Sequence, residues 1–177
     1  DFIFSEDTRV SKKLLSKFEI SAKIFSIYTH NKKLNLKKFE ELISHNDLAF
    51  ITDAGSPGVS DPAGEFVKFA RSKNHDVIPI PGVSAVTSAF SVSGFESIGF
   101  SFLGFLPKSN TQKSNYISKY FETNNPLIIF ESPKRIISTL NFLKEEFQIK
   151  NIFVAKEMTK IYETIFSGSI DSAIKLF

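Results

Sequence analysis

The sequence predicts an α/β protein of two lobes, a parallel-sheet lobe followed by a mixed-sheet lobe, and three observations carry that expectation. Short apolar runs alternate with helical patterns of ten or more residues, as in a parallel sheet with helices on its faces. Two sharp Gly/Pro loops, around Asp53–Gly58 and Pro81–Ala85, each lie between an apolar run and a helical pattern, and two such loops would face one crevice at the carboxyl ends of neighbouring strands. After Gly94 the texture changes, and the last two strand candidates are joined by a connection too short for a crossover helix, so they are expected to be antiparallel. The boundary is expected near 90–94, giving lobes 1–92 and 93–177.

Phe2–Phe4 is the first strand candidate, and a helix follows with Val10, Leu14, Leu15 and Phe18 on one face, capped by Ser5 or Asp7. Ile24–Tyr28 is the second strand; Leu34, Leu36, Phe39, Leu42 and Ile43 then mark a helix that stops near His45–Asn46. Leu48–Thr52 runs straight into Asp53. From Pro62 the set Phe66, Val67, Phe69 and Ala70 gives another helix, then Val77–Ile80 a strand and 83–92 a helix. In the second lobe the apolar run Ile98–Phe105 precedes a polar helix ending near Phe121. Leu127–Phe130 is a buried strand, and Pro133 fits the first turn of a helix with core face Ile136, Ile137, Leu140, Leu143 and Phe147. Ile152–Ala155 and Thr164–Phe166 are the antiparallel candidates. A strand entered with no preceding turn, a first residue that is Asp1, and an apolar period (Ile170, Ala173, Ile174, Phe177) that stops mid-pattern suggest a piece of a longer protein.

Composition is that of a globular protein, with 42% hydrophobic and 23% charged residues. Twenty phenylalanines with no tryptophan read as the codon bias of an AT-rich genome. With no cysteine and with His30, His45 and His75 scattered, neither a disulfide nor a metal centre is expected. No apolar run approaches the roughly 18 residues that span a bilayer and no signal peptide is evident, so the expectation is a cytoplasmic protein without a membrane partner. A net charge of +3 permits an anionic partner without arguing for one.

The richest stretch is Leu48–Ala63, LAFITDAGSPGVSDPA. A bare buried strand needs none of Asp53, Gly55, Gly58 and Asp61, whereas a ligand loop uses glycines for close approach and carboxylates for orientation. Ordinary turn chemistry fits the same residues. Neither loop is G-x-G-x-x-G, and no G-x-x-x-x-G-K-[ST] occurs, so a classical dinucleotide or P-loop site is disfavoured. A ligand with an ammonium, a carboxylate and an adenine would suit an acidic residue, exposed amides and a small residue such as Ala85. Glu6-Asp7-Thr8-Arg9 could hold acid/base or substrate-gripping groups, although acids in a first helical turn are favoured by the dipole alone. Glu131-Ser132-Pro133-Lys134-Arg135 places cations at a helix start, against the dipole, a conflict that functional sites tolerate. Lys156-Glu157-Met158-Thr159-Lys160, with Glu163, is a charged connection.

Taken in order, SEDTRVSKKLL, LAFITDAGSPGVSDPA, VIPIPGVSA, FLGFLP, LIIFESPKR and AKEMTKIYET closely resemble the ribosomal RNA methyltransferases of the tetrapyrrole methylase superfamily, across essentially the whole chain. The resemblance implies a two-lobed, usually dimeric methyltransferase with S-adenosylmethionine in the cleft between lobes and small-subunit ribosomal RNA or the assembled subunit as substrate. It implies 2′-O-methylation of a cytidine in the decoding region. Asp53, Ala54, Gly55, Ser56 and Pro57, with Pro81, Gly82, Ser84 and Ala85, match cofactor loops. Glu6, Asp7, Arg9, Glu131, Arg135, Glu157 and Lys160 match the RNA-facing motifs. For the transfer itself, Glu6 and Glu131 are the base candidates, and Arg9, Lys134, Arg135 and Lys160 the RNA contacts. Ser56 stands where the family commonly has Thr. The family's Pro-x-Gly-Asn type cofactor loop would fall before Asp1, and its last strand after Phe177. Methylation of a corrin or porphyrin precursor, and a non-catalytic RNA-binding module on the same fold, remain the alternatives.

Overall fold

A computed structural model describes residues 2–27, 32–61, 63–123 and 125–177. Tyr28, His30 and Pro62, which carry expectations above, lie outside the described residues. The chain divides into two compact units, Asp1–Ser84 and Ala85–Phe177.

In the first unit β1 (Phe2–Ser5), β2 (Lys23–Ser26) and β3 (Leu48–Ile51) form a parallel sheet in the order β2-β1-β3, with Phe4 opposite Phe25 on one side and Phe50 on the other. Helix α1 (Thr8–Lys17) joins β1 to β2, α2 (Lys32–Ile43) joins β2 to β3, and α3 (Gly64–Ser72) follows β3. The two-residue alternation of β1 decides which face each helix covers. Phe4, 1% exposed, packs its ring against Phe39 of α2 and Phe66 of α3, with centroids 5.3 and 6.0 Å away. Its neighbour Ser5 points to the other face, where its hydroxyl bonds Ser11 of α1. So α1 covers one face and α2 the other, as right-handed crossovers in opposite directions require, and α3 shares the α2 face through Phe66, which packs on Phe4 and Phe39. Ile27, Phe39, Phe66 and Ala70 complete the core around Phe4; full burial of one such Phe is worth about 1.5–3 kcal/mol.

Two expectations fail here. The face of α1 turned to the sheet is Ser11 and Leu15, while Val10, Leu14 and Phe18 are 44%, 46% and 62% exposed. The small Ser5 and its hydroxyl contact draw the Ser11 side inward, which rotates the apolar stripe outward. Val77–Ile80 forms no strand. Pro79 and Pro81 have no N–H to give a ladder, and Ile78 and Ile80 are 77% and 85% exposed, leaving only Val77 packed on the core.

The second unit contains α4 (Ala85–Val92), β4 (Ser101–Phe105), α5 (Asn110–Phe121), β5 (Leu127–Phe130), α6 (Ile136–Phe147), β6 (Asn151–Lys156), β7 (Thr164–Ser169) and α7 (Ile170–Leu176). Both senses of pairing occur in it, as two separate ladders: β4 and β5 parallel, β6 and β7 antiparallel. Leu103, Leu106, Ile117, Leu140, Phe142, Leu143, Ile170 and Ala173 form its core. Helix α6 begins after Pro133 and not with it. Residues 133–135 make a turn in which the Ser132 carbonyl accepts from the Arg135 and Ile136 N–H groups, both at 3.0 Å.

Candidate functional site

The sheet order creates an opening at its carboxyl end. The chain leaving β1 turns to the α1 face, and the chain leaving β3 turns to the α3 face, so the two part above the strands. Open α/β sheets bind ligands in such a crevice. Glu6 and Asp7 follow β1, Asp53 follows β3, and Ser26 ends β2. These residues, with Thr8 and Arg9, line a cavity of about 430 Å³.

Backbone and side chains lock the two walls reciprocally. The Asp53 N–H donates to Glu6 Oε2 at 3.2 Å, and the Asp7 N–H donates to Asp53 Oδ1 at 3.3 Å. The Glu6 N–H continues the β1–β3 ladder to the Ile51 carbonyl at 3.1 Å. Asp7 caps α1, accepting from the Arg9 N–H at 2.8 Å, and its carboxylate also takes Arg9 Nη2 at 2.6 Å. Those bonds from Arg9 hold the Asp7 carboxyl down at about 2.

The crevice therefore carries Glu6, Asp7 and Asp53 against the single cation Arg9. A fourth acid stands close by. Burial first, then the charges of Glu6 and Asp53, raises the Asp61 carboxyl above its ordinary value, and its buried Oδ2 has no hydrogen-bond partner among the described residues. Such a surface repels phosphate and attracts ammonium, sulfonium or hydroxyl donors.

The loop after β3 takes its shape from its glycines. Gly55 and Gly58 adopt φ of +76° and +88°, the left-handed region that costs other residues about 1–2 kcal/mol. Thr52 Oγ1 donates to the Gly55 carbonyl at 3.2 Å, and the Val59 N–H donates to the Ser56 carbonyl at 3.2 Å. Of the expected cofactor residues, Asp53 lines the cavity, while Ala54, Gly55, Ser56 and Pro57 form the turn that follows it. Pro81, Gly82 and Ser84 lie in an irregular segment outside the cavity lining, and Ala85 opens α4 in the second unit.

The second unit treats its charged motif differently. Glu131, whose side chain is 5% exposed, accepts from the Ser132 N–H at 2.8 Å and from Thr139 Oγ1 at 2.7 Å. Its second partner oxygen also faces Arg135 Nη2 at 3.3 Å. That same Nη2 donates to the Leu106 and Pro107 carbonyls at 2.9 and 3.3 Å. Glu131 and Arg135 thus tie the turn after β4 to the end of β5 and the start of α6. Lys134 is exposed. Lys160 pairs with Glu157 at 3.2 Å in the β6–β7 connection, where Glu163 accepts from the Thr159 N–H at 2.6 Å.

Thr8 lines the cavity within the Glu6–Arg9 stretch that the sequence singles out, whereas sequence reasoning missed Ser26 as a lining residue and Asp61 as an acid without a partner. Ser26 gives no signal beyond a polar residue ending an apolar run. Asp61 was marked as part of the loop, but its unsatisfied oxygen appears only with the packing. Among the described residues no group of three or more His, Cys, Asp or Glu side chains could hold a metal ion.

Comparison with known proteins gives a consistent result. A family model described as "Tetrapyrrole (Corrin/Porphyrin) Methylases" matches residues 1–174. Proteins named "Ribosomal RNA small subunit methyltransferase I" are similar along the chain. The one from Halalkalibacterium halodurans is 37% identical over 98% of this chain and 61% of its own length. The one from Thermotoga maritima is 35% identical over 100% of this chain and 80% of its own. That from Mycoplasmopsis pulmonis is 40% identical over 98% and 78%. The chain spans about three fifths of the Halalkalibacterium relative and of one from Neisseria meningitidis. A match that runs from residue 1 to residue 174, over two units of α/β structure, shows that the chain belongs to the tetrapyrrole methylase family.

Proposed function

We propose that the full protein is an S-adenosylmethionine-dependent methyltransferase that methylates the ribose 2′-oxygen of a cytidine in the decoding region of small-subunit ribosomal RNA. The reading extends to a cytoplasmic homodimer, on the resemblance stated above. The observation that carries it is the acidic crevice at the carboxyl ends of the strands, together with the printed name of the relatives. No described helix is long and apolar enough to cross a membrane.

The donor set fits the cofactor. Asp53 and Glu6, which line the cavity, offer carboxylates to a ligand that carries an ammonium and a sulfonium. Asp53 would hold it, with Ala54–Pro57 and the segment Pro81–Ala85 as further contacts. When bound, the cofactor supplies a methyl group on a positively charged sulfur.

The protein's share is to orient the ribose, exclude water and accept one proton. Glu6 fits the last role better than Glu131. Its Oε2 is engaged by the Asp53 N–H while Oε1 is free among the described residues, so the 2′-hydroxyl proton can pass to Oε1 as the oxygen is methylated. Both oxygens of Glu131 are engaged, which suits it to holding Arg135. Arg9, Lys134 and Lys160 are then the phosphate contacts, and Arg135 acts on the Leu106–Pro107 turn. A corrin or porphyrin precursor carries several carboxylates, which the charge of the crevice disfavours.

The test incubates full-length protein and labelled S-adenosylmethionine with small ribosomal subunits, with naked ribosomal RNA, and with a tetrapyrrole precursor. Label in 2′-O-methylcytidine of the RNA supports the reading. Label in the tetrapyrrole, or transfer to none of the three, overturns it.

A further inference from the structure

The crevice chemistry leaves one strongly charged surface of the first unit unused. Helix α1 carries Arg9, Lys12, Lys13 and Lys17 and no acid between Thr8 and Lys17. At about 100° per residue these positions fall on one side of the helix, opposite Ser11 and Leu15, which are buried. All four cations are exposed. Among the described residues the ion pairs of this unit are Arg9 with Asp7 and Lys38 with Glu41, so Lys12, Lys13 and Lys17 are unneutralised. Like charges spaced i,i+4 destabilise a helix by a few tenths of a kcal/mol per pair, and this helix offsets none of it with an acid.

The stripe starts at the crevice. Arg9 lines the cavity, and Lys17 lies about 12 Å further along the axis at 1.5 Å per residue. Inside, Glu6, Asp7 and Asp53 repel phosphate; outside, an uncompensated row of lysines attracts it. That sign change separates a nucleotide's parts, admitting an uncharged ribose and base while holding the strand beyond the mouth.

We propose that the Lys12–Lys13–Lys17 face of α1 is the track on which the phosphates of the substrate RNA lie while the target ribose enters the crevice. This rests on the RNA reading above. The lysines of α2 and α3, on the opposite face of the sheet, take no part.

The test measures binding of small-subunit ribosomal RNA to the full-length protein by fluorescence anisotropy over a series of KCl concentrations. One variant is Lys12→Gln/Lys13→Gln/Lys17→Gln. A control of equal charge, Lys37→Gln/Lys68→Gln/Lys73→Gln, lies on α2 and α3 or at the end of α3, and a third variant replaces the three stripe lysines by Arg. Each lysine on a phosphate contributes about 0.7–0.9 to the log–log salt slope. The stripe variant should lose about 2–3 from the slope and bind at least tenfold more weakly at low salt, with unchanged S-adenosylmethionine affinity and melting. The control and the Arg variant should keep the parent slope. An unchanged slope in the stripe variant, or an equal fall in the control, overturns the track. If the parent still transfers methyl to the RNA, the functional reading survives that result. A parent that neither binds nor methylates the RNA overturns both.

Discussion

Asp53 and Glu6, residues that follow different strands, are joined by a hydrogen bond from the Asp53 N–H to Glu6 Oε2 at 3.2 Å, and the Asp7 N–H returns one to Asp53 Oδ1 at 3.3 Å. The walls of the crevice are thus braced by the groups that face its interior. A change to either carboxylate alters both the charge offered to a ligand and the brace.

Glu6→Gln keeps an acceptor for the Asp53 N–H and removes the proton acceptor. Methyl transfer by the full-length variant at saturating cofactor should fall about 10²–10⁴-fold, the range for a lost general base, beyond the weaker cofactor binding that follows from removing one carboxylate of the crevice. Single-turnover transfer beside calorimetric cofactor binding separates the two. A variant as fast as the parent would take the base role from Glu6.

Glu131→Gln should act through stability. Its carboxylate is buried and serves Ser132, Thr139 and Arg135, and disturbing a buried charged hydrogen-bond partner costs about 1–3 kcal/mol. Thr139→Val should lower the denaturation midpoint in the same direction, while exposed Lys134→Gln should stay within about 0.5 kcal/mol of the parent. Unchanged midpoints for both buried variants would refute the tie between the two motifs.

Asp61 gives a pH dependence of known sign. Its folded carboxyl is raised above the ordinary 3.8, so the folded state favours the protonated form. Its stabilising contribution is fully present below the unfolded value and lost as pH rises through the raised one. Relative to Asp61→Asn, the parent should lose stability over that window and then run parallel. Melting curves from pH 3 to pH 8 check it. A difference independent of pH would show that Asp61 has no raised folded value.

Gly55→Ala and Gly58→Ala should each destabilise by about 1–2 kcal/mol. Among the described residues no atom lies within 4 Å of a Cβ at Gly55, and only Ala63 Cβ, at 3.9 Å, near one at Gly58. Strain in φ, and no clash, would therefore be the whole effect. Denaturant titration measures it, and parent-like midpoints would mean that the loop relaxes out of the left-handed region.

Much of this was legible in the chain. The parallel strands beside Phe4, a cap at Ser5 or Asp7, of which the structure uses Asp7, and the antiparallel pair at 152–155 and 164–166 follow from local pattern and connection length. The misread elements have separate causes. Val10, Leu14 and Phe18 have helical spacing, but the contact of Ser5 with Ser11 decides which side of α1 meets the sheet, and that lies 6 residues apart in sequence. Val77–Ile80 has the composition of a strand, but its prolines withhold the donors that pairing needs. The site divides likewise. Asp53 stands out by sequence, whereas the full engagement of Glu131 and the unpartnered oxygen of Asp61 are products of packing.

The central claim is that the crevice braced by Asp53 and Glu6 binds S-adenosylmethionine, and calorimetric titration of the cofactor into full-length parent and Asp53→Asn tests it most directly. Asn keeps an oxygen for the Asp7 N–H and removes the charge. The account predicts at least tenfold weaker binding, about 1.4 kcal/mol, with the fold intact by circular dichroism. Equal affinity in parent and variant would contradict it.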